Sequence, residues 1–293
     1  MEIMNRILLL GTGRQNPEDV RSLPFPSGRG RLRRSKAGLW IKRLAAVPFS
    51  LALVLGGASI WAAPAAHAAD GGMVSVTFDD GWASQYNNAL PILNRYGIPA
   101  TMYIISGSVN AVPSYMTQDQ IQAFASRGDE IAAHTVTHPD LTTLTPDQVD
   151  NELAQSQATL QQMFGPSAAV NFASPYGAYN PTTTAAVQTY FGTQRNTDVG
   201  FNSQTAFDPY NILVQNVDSS TTTATVQGWI DTAKATNTWL VLVYHEVGAS
   251  IGGDIYHTDT AVLDAHMAAV ANSGLAMVTV QQGVDSLTGA GVP

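Results

Sequence analysis

Between residues 73 and 287, short apolar runs alternate with capped helical segments seven or eight times, and this alternation restricts the fold more than any other feature of the chain. Runs of apolar and β-branched residues bounded by turn signals predict buried strands. They fall at 73–78, 101–105, 130–133, 169–173, 192–196, 212–217, 239–244 and 275–280. Helices are predicted between them at 84–96, 118–127, 146–164, 181–191, 223–235 and 259–273, with a short one at the end. The boundaries carry recognisable signals. Thr117 and Thr145 stand as N-caps, Pro146 takes a first helical position, and Gly97, Gly128, Gly165 and Gly274 act as stops. Pro91 falls inside a helical stretch and predicts a kink or a late start. Strands alternating with helices across short connections predict an α/β fold. Its parallel sheet is closed, or nearly closed, as a barrel of seven or eight mostly parallel strands.

In such a barrel the C-terminal ends of the strands converge on one face. Four sequence features lie just past predicted strand ends: Asp79-Asp80, His134 with His138, Pro175-Tyr176-Gly177, and His245. Adjacent carboxylates resist ionising together unless a cation is near, so one of them on a metal and the other free as a base would resolve the conflict. His134 and His138, spaced i and i+4, bring two imidazoles to one side of a turn. With a carboxylate they make a two-histidine, one-carboxylate site with positions left open. His245, an imidazole at a strand end, is the available general acid. At Pro175-Tyr176-Gly177 a backbone N–H can hold an oxyanion; Pro175 has none, so Tyr176 is the donor. Trp82, just past Gly81, is placed to stack on a sugar. Each feature alone has a plain structural explanation: a solvated Asp-Asp-Gly turn, an incidental histidine pair, a satisfied core histidine. Their convergence argues for a site. His257 is expected in a loop and His266 on an exposed helix face.

Residues 1–68 stand apart from this pattern. They hold ten of the 14 Lys and Arg residues and an apolar run at 44–63, followed by Ala66-His67-Ala68. Basic residues, an apolar segment and Ala-x-Ala form the layout of a secretory signal peptide with an extended N-terminal region, cleaved before Ala69. Arg33-Arg34 matches a twin-arginine signal only loosely. An uncleaved membrane anchor is the alternative, weakened by Pro48 and by the Gly and Ser content. The expected organisation is therefore residues 1–68 as signal and 69–293 as one domain. The product is secreted, or cell-envelope associated if the segment stays, with no stable membrane insertion after cleavage.

Cleavage changes the charge. Residues 69–293 keep four basic residues (Arg95, Arg127, Arg195, Lys234) against 19 acidic ones, a formal −15 where the whole chain carries −8. Such a surface repels phosphate backbones and excludes nucleic-acid binding. It points to a neutral partner. The chain has no cysteine, which rules out thiolate metal sites and a cysteine nucleophile.

These residues resemble the polysaccharide deacetylase family (carbohydrate esterase family 4) across nearly all of the expected domain. Thr77-Phe78-Asp79-Asp80-Gly81 is similar to its first motif and His134-Thr-Val-Thr-His138 to its second. Ser174-Pro175-Tyr176-Gly177 looks like the third and Val241-Leu-Val-Tyr-His245 like the fifth. The resemblance implies a distorted (β/α) barrel and one divalent metal ion, usually Zn2+, on Asp80, His134 and His138. It further implies Asp79 as general base, His245 as acid, and the Tyr176 N–H as oxyanion donor. The implied partner is a neutral acetylated polysaccharide or oligosaccharide, N-deacetylated by a monomeric enzyme. A non-catalytic glycan-binding barrel and an acetylxylan-type esterase are the alternatives. Two departures stand out. Ala173 occupies the place of the third-motif arginine that steadies the base. The fourth motif, which supports the acid, has no clean match; Asp218 lies near the right distance before His245, and Asp198 is a poorer fit.

Overall fold

A computed structural model describes residues 72–250 and 253–289; the expected signal segment 1–68 lies outside the described residues. Seven parallel strands form the barrel. They are β1 (Met73–Phe78), β2 (Ala100–Ile104), β3 (Glu130–Ala133), β4 (Asn171–Ala173), β5 (Thr193–Val199), β6 (Ile212–Asn216) and β7 (Thr238–Tyr244). Each pairs with the next, and β7 closes on β1 through six residue pairs, from Met73 opposite Trp239 to Phe78 opposite Tyr244. The expected barrel is therefore present. Its distortion lies beside β1. There Ala276–Met277 pairs only with Met73 and Val74, while β2 takes Val76 to Phe78.

Helices α1 (Leu90–Tyr96), α2 (Gln118–Arg127), α3 (Pro146–Phe164), α4 (Pro181–Tyr190), α5 (Thr223–Thr236), α6 (Thr260–Ala271) and α7 (Val280–Thr288) join these strands. Local chemistry sets their ends. Thr117 and Thr145 each accept from the N3 amide while the N3 glutamine side chain returns a bond to the cap, and such caps contribute about 1 kcal/mol each. Pro91 marks the late start of α1, which begins at Leu90 with the proline in its first turn. One π-helical turn (Gln85–Ala89) widens the chain ahead of it, and the α-helix follows.

Three expectations need correction. The last predicted strand shrinks to two residues because Thr279 caps a new helix, drawing Val280 into α7. The fourth starts at Asn171, since Ala169 adopts a left-handed φ of 53°. His266 is fully buried on α6, its Nδ1 lying 3.2 Å from the Tyr244 hydroxyl. Short pairings outside the barrel, such as Asn202–Ser203 running antiparallel to β7, carry no apolar periodicity that a sequence reading could detect.

Strand alternation divides the apolar residues into two cores. Val74, Val76 and Phe78 face outward to the helices with Leu240, Leu242 and Tyr244. Met73, Tyr103, Ala132, Ala173, Ile212, Trp239, Val241 and Val243 fill the barrel interior.

Candidate active site

The interior-facing parity of each strand predicts which residues reach the C-terminal mouth. Met73, Ser75 and Thr77 lead to Asp79; Glu130 and Ala132 lead to His134; Trp239, Val241 and Val243 lead to His245. All seven residues singled out from the sequence (Asp79, Asp80, Trp82, His134, His138, Tyr176, His245) line one cavity of about 420 Å³ at that mouth.

Asp80, His134 and His138 converge. Oδ1 of Asp80 lies 3.5 Å from Nε2 of each histidine, and the two Nε2 atoms are 3.1 Å apart. His134 Nδ1 lies 2.8 Å from the Ala173 carbonyl; as donor there it fixes the tautomer and leaves Nε2 a lone pair facing the other ligands. Burial holds His134 at about 4 and also lowers His138, so both stay neutral and ligand-competent at neutral pH. This donor set, two imidazole nitrogens and one carboxylate oxygen facing a common point, fits one divalent ion.

The loop that carries His138 is held from outside. Glu152 on α3 accepts from the amides of Val136 (2.8 Å) and Thr137 (2.9 Å) and from the Thr137 hydroxyl (2.7 Å). Gly107 lets the segment after β2 pack against it; a Cβ there would lie 2.5 Å from the Val136 carbonyl oxygen. Asp80, Thr135, His138 and Tyr176 all adopt positive φ, a cost that clusters at this mouth and that the surrounding bonds hold in place.

Asp79 faces the barrel axis. Nη2 of Arg195 donates to both of its carboxylate oxygens at 2.6 Å. Arg195 is fully buried, and its guanidinium lies 4.8 Å from the centre of the Tyr103 ring. Burial by itself would raise Asp79. The Arg195 charge opposes it, joined by His134 and His245, and the result lies below the usual carboxylate value. Asp79 is thus a buried anion, 3.7 Å from His245 Nε2.

Arg195 is the residue that sequence reasoning missed. It faces Ala173 in register on the adjacent strand, so β5 delivers the guanidinium that the resemblance expects from β4. A signal was present: Arg195 is the only one of the four basic residues after position 69 that falls on a predicted strand. The fourth-motif candidates do not reach His245. Asp218 caps its own turn through Ser220 and Thr221, and Asp198 accepts from the Tyr179 hydroxyl at 2.8 Å. Nδ1 of His245 is buried with no partner among the described residues, and the Tyr256 ring lies 5.2 Å from the imidazole centre.

Trp82 lines the cavity and also contacts Asp80. Its Nε1 donates to Asp80 Oδ2 at 2.9 Å, and its ring stacks on Tyr115 at 4.6 Å. One oxygen of Asp80 is thereby occupied and the other is directed at the histidines. Tyr176, at φ 58°, directs its ring edge-on to His138, and its N–H has no acceptor among the described residues. Gly177 makes this turn possible, since a Cβ would overlap Thr197.

Fold and site together define a (β/α) barrel with a two-histidine, one-aspartate centre and a second, buried aspartate at its C-terminal mouth. Residues 66–193 match the family model described as polysaccharide deacetylase, so this stretch of the chain is similar to that family. The matched stretch contains Asp79, Asp80, His134, His138 and Tyr176, and ends before Arg195 and His245. YxkH of Bacillus subtilis (strain 168), named after the polysaccharide deacetylases, is 35% identical over 115 residues, 39% of this chain and 40% of that protein. A chitooligosaccharide deacetylase of Rhizobium leguminosarum bv. trifolii is 31% identical over 108 residues, 36% of this chain and 47% of that protein. The chain thus spans less than half the length of either relative. Among solved structures, T48 deacetylase with substrate superposes with a TM-score of 0.54 at 20% identity, covering 78% of this chain and 96% of that one, a likeness of fold.

Proposed function

We propose that the protein is an exported, metal-dependent hydrolase that removes acetyl groups from a glycan, with an N-acetylglucosamine-type polymer as substrate. The observation that carries this reading is the division of labour between two adjacent carboxylates. Asp80 faces two imidazole nitrogens, while Asp79 is held on Arg195 beside His245. A divalent ion on Asp80, His134 and His138, zinc in this reading, would supply Lewis acidity. Asp79, kept ionised by Arg195, accepts a proton from the attacking water. His245 Nε2 returns a proton to the departing sugar nitrogen, and the Tyr176 N–H donates to the developing oxyanion. The surplus of acidic residues favours a neutral substrate over an anionic one. The basic and apolar amino-terminal pattern supports export.

One observation favours a second reading, hydrolysis of an acetate ester as on xylan. Among the described residues no carboxylate meets His245 Nδ1, and an alkoxide needs less help from an acid than an amine does when it leaves. Acetate release from acetylated chitooligosaccharides and from acetylated xylan, with chelator and after metal is restored, separates the two. Asp79→Asn is expected to keep the metal and lose turnover. A fully active Asp79→Asn enzyme would refute the assigned base, and a wild-type protein that binds these glycans without releasing acetate would be a binding barrel instead.

A further inference from the structure

Among the described residues, the large apolar side chains most exposed to solvent are Val112, Tyr176, Tyr179, Val199, Ile255 and Tyr256. Single exposed apolar residues need no explanation, but these share one location. Val112 follows β2, Tyr176 and Tyr179 follow β4, Val199 ends β5, and Ile255 and Tyr256 follow β7. None lies on the helical shell or at the opposite end of the barrel. The apolar surface therefore extends outward from the catalytic cavity.

A second groove, of about 410 Å³, lies between α4 and residues 208–211, the segment that leads into β6 from the end away from the mouth. Tyr179 and Tyr210 line it together with Thr184, Gln188, Asp208 and Asn211. Both phenols are tethered, Tyr179 to Asp198 at 2.8 Å and Tyr210 to the Phe191 carbonyl at 3.0 Å, so their rings are presented with little conformational freedom. Chain connectivity ties the groove to the catalytic cavity in two places. Tyr176 lines the cavity and Tyr179 the groove, three residues on, so their Cα atoms lie no more than about 10 Å apart. Thr197 lines the cavity, and its neighbour Asp198 holds the Tyr179 hydroxyl.

Two tethered aromatic faces beside hydroxyl, amide and carboxylate groups, with no cation in the lining, match one ligand chemistry. Pyranose rings present apolar C–H faces to aromatic rings and hydroxyls to short polar side chains, and they carry no charge that needs a cation. We propose that this groove is a distal subsite for a neutral glycan chain. On the deacetylase reading above, it holds sugar units beyond the one presented to Asp80, His134 and His138. The protein then acts on chains rather than on single sugars, and the groove adds affinity only for ligands long enough to reach it.

The test combines a chain-length series with a readout that needs no chemistry. Initial rates are measured on N-acetylglucosamine oligomers from disaccharide to hexasaccharide for the metal-loaded wild type, Tyr179→Ala and Tyr179→Phe. The same proteins are run by affinity electrophoresis through gels cast with soluble glycol chitin. Tyr179→Ala is expected to raise KM for the hexasaccharide about tenfold, the order of one aromatic contact. Its kcat and its disaccharide kinetics should not change, and it should migrate faster in the glycan gel. Tyr179→Phe keeps the aromatic face but loses the Asp198 tether, and should fall between wild type and Tyr179→Ala in both readouts. An equal KM change for short and long oligomers, or no change in either readout, overturns the proposal. If the wild type releases no acetate from any oligomer, the deacetylase reading falls and the gel decides the groove alone. Retardation lost in Tyr179→Ala then upholds the subsite; retardation that is unchanged, or absent in both proteins, overturns it.

Discussion

Ala173 and Arg195 face each other in register across adjacent barrel strands, and the arginine, not a residue at the alanine's position, holds Asp79 from 2.6 Å. The pairing is buried on both sides, which decides its energetics. A buried ion pair adds little over an apolar isostere, yet removing one partner strands the other charge. Arg195→Met is therefore expected to destabilise the protein by about 3–5 kcal/mol in urea denaturation. It should also move the acid limb of the pH–rate profile upward, because burial alone raises Asp79 once the guanidinium is gone. Arg195→Lys keeps the charge without the planar fork and should recover only part of both losses. An acid limb that stays in place in Arg195→Met would show that the guanidinium does not tune Asp79.

Trp82 gives a second prediction. Its indole N–H occupies the outer oxygen of Asp80, so Trp82→Phe frees that carboxylate to rotate while keeping the stack on Tyr115. Outer-shell partners of this kind commonly change metal affinity about 10- to 100-fold. Zinc competition titration should show a loss in that range, with little change in thermal stability. Unchanged zinc affinity with weakened glycan binding would show that Trp82 serves the sugar and not the Asp80 carboxylate.

What the sequence disclosed follows the range of the interactions involved. Strand β1 and helices α2 and α3 could be read residue by residue, because their apolar periods and Thr caps lie within a few positions of the ends they fix. The site could be read because strand ends in a parallel barrel converge, which makes distant motifs neighbours without knowledge of their contacts. Contacts across the barrel could not be read. Arg195 lies 116 residues from Asp79, and which inward-facing position carries the cation depends on the register between β4 and β5, which no local pattern encodes. The same holds for Trp82. Its place beside Gly81 was plain, but its bond to Asp80 and its stack on Tyr115 depend on contacts that no local pattern encodes. His266 was misread because α6 has little polar face to mark which side is buried.

Glu152 supports the second histidine from a distance. Its carboxylate takes three hydrogen bonds from Val136 and Thr137, in the turn between the two imidazoles. Glu152→Ala leaves two amides of a partly exposed loop to water, so the stability cost should stay within about 1–3 kcal/mol. The larger effect should fall on the metal, because His138 at φ 61° depends on the loop being held. Metal affinity is expected to drop about tenfold or more, with the holo spectrum of a cobalt-substituted protein broadened. A variant that loses stability but keeps full affinity would show that His138 is set by the Thr135 hydroxyl alone, which accepts from its amide at 2.9 Å.

The histidines also predict how the metal-free protein responds to acid. Burial holds His134 at about 4, and His138 is lowered as well, against about 6.5 for an exposed imidazole. As pH falls below about 6.5 the unfolded chain takes up protons that the folded chain refuses, so stability must fall across that interval. Other groups bear on the same curve with known signs. Burial raises Glu130, at the opposite end of the barrel, so its folded form keeps a proton the unfolded form gives up and it favours folding as pH falls. Asp79, lowered, adds to acid sensitivity only below the usual carboxylate value. Comparing variants isolates the histidine contribution: urea midpoints of metal-free wild type should drop between about pH 7 and about pH 5, and His134→Gln should flatten that drop. Restoring the metal should steepen it in the wild type alone, because the ligands must be deprotonated to bind. An identical slope in His134→Gln would mean that His134 is protonated in the folded, metal-free protein near pH 6, and that burial does not hold it neutral.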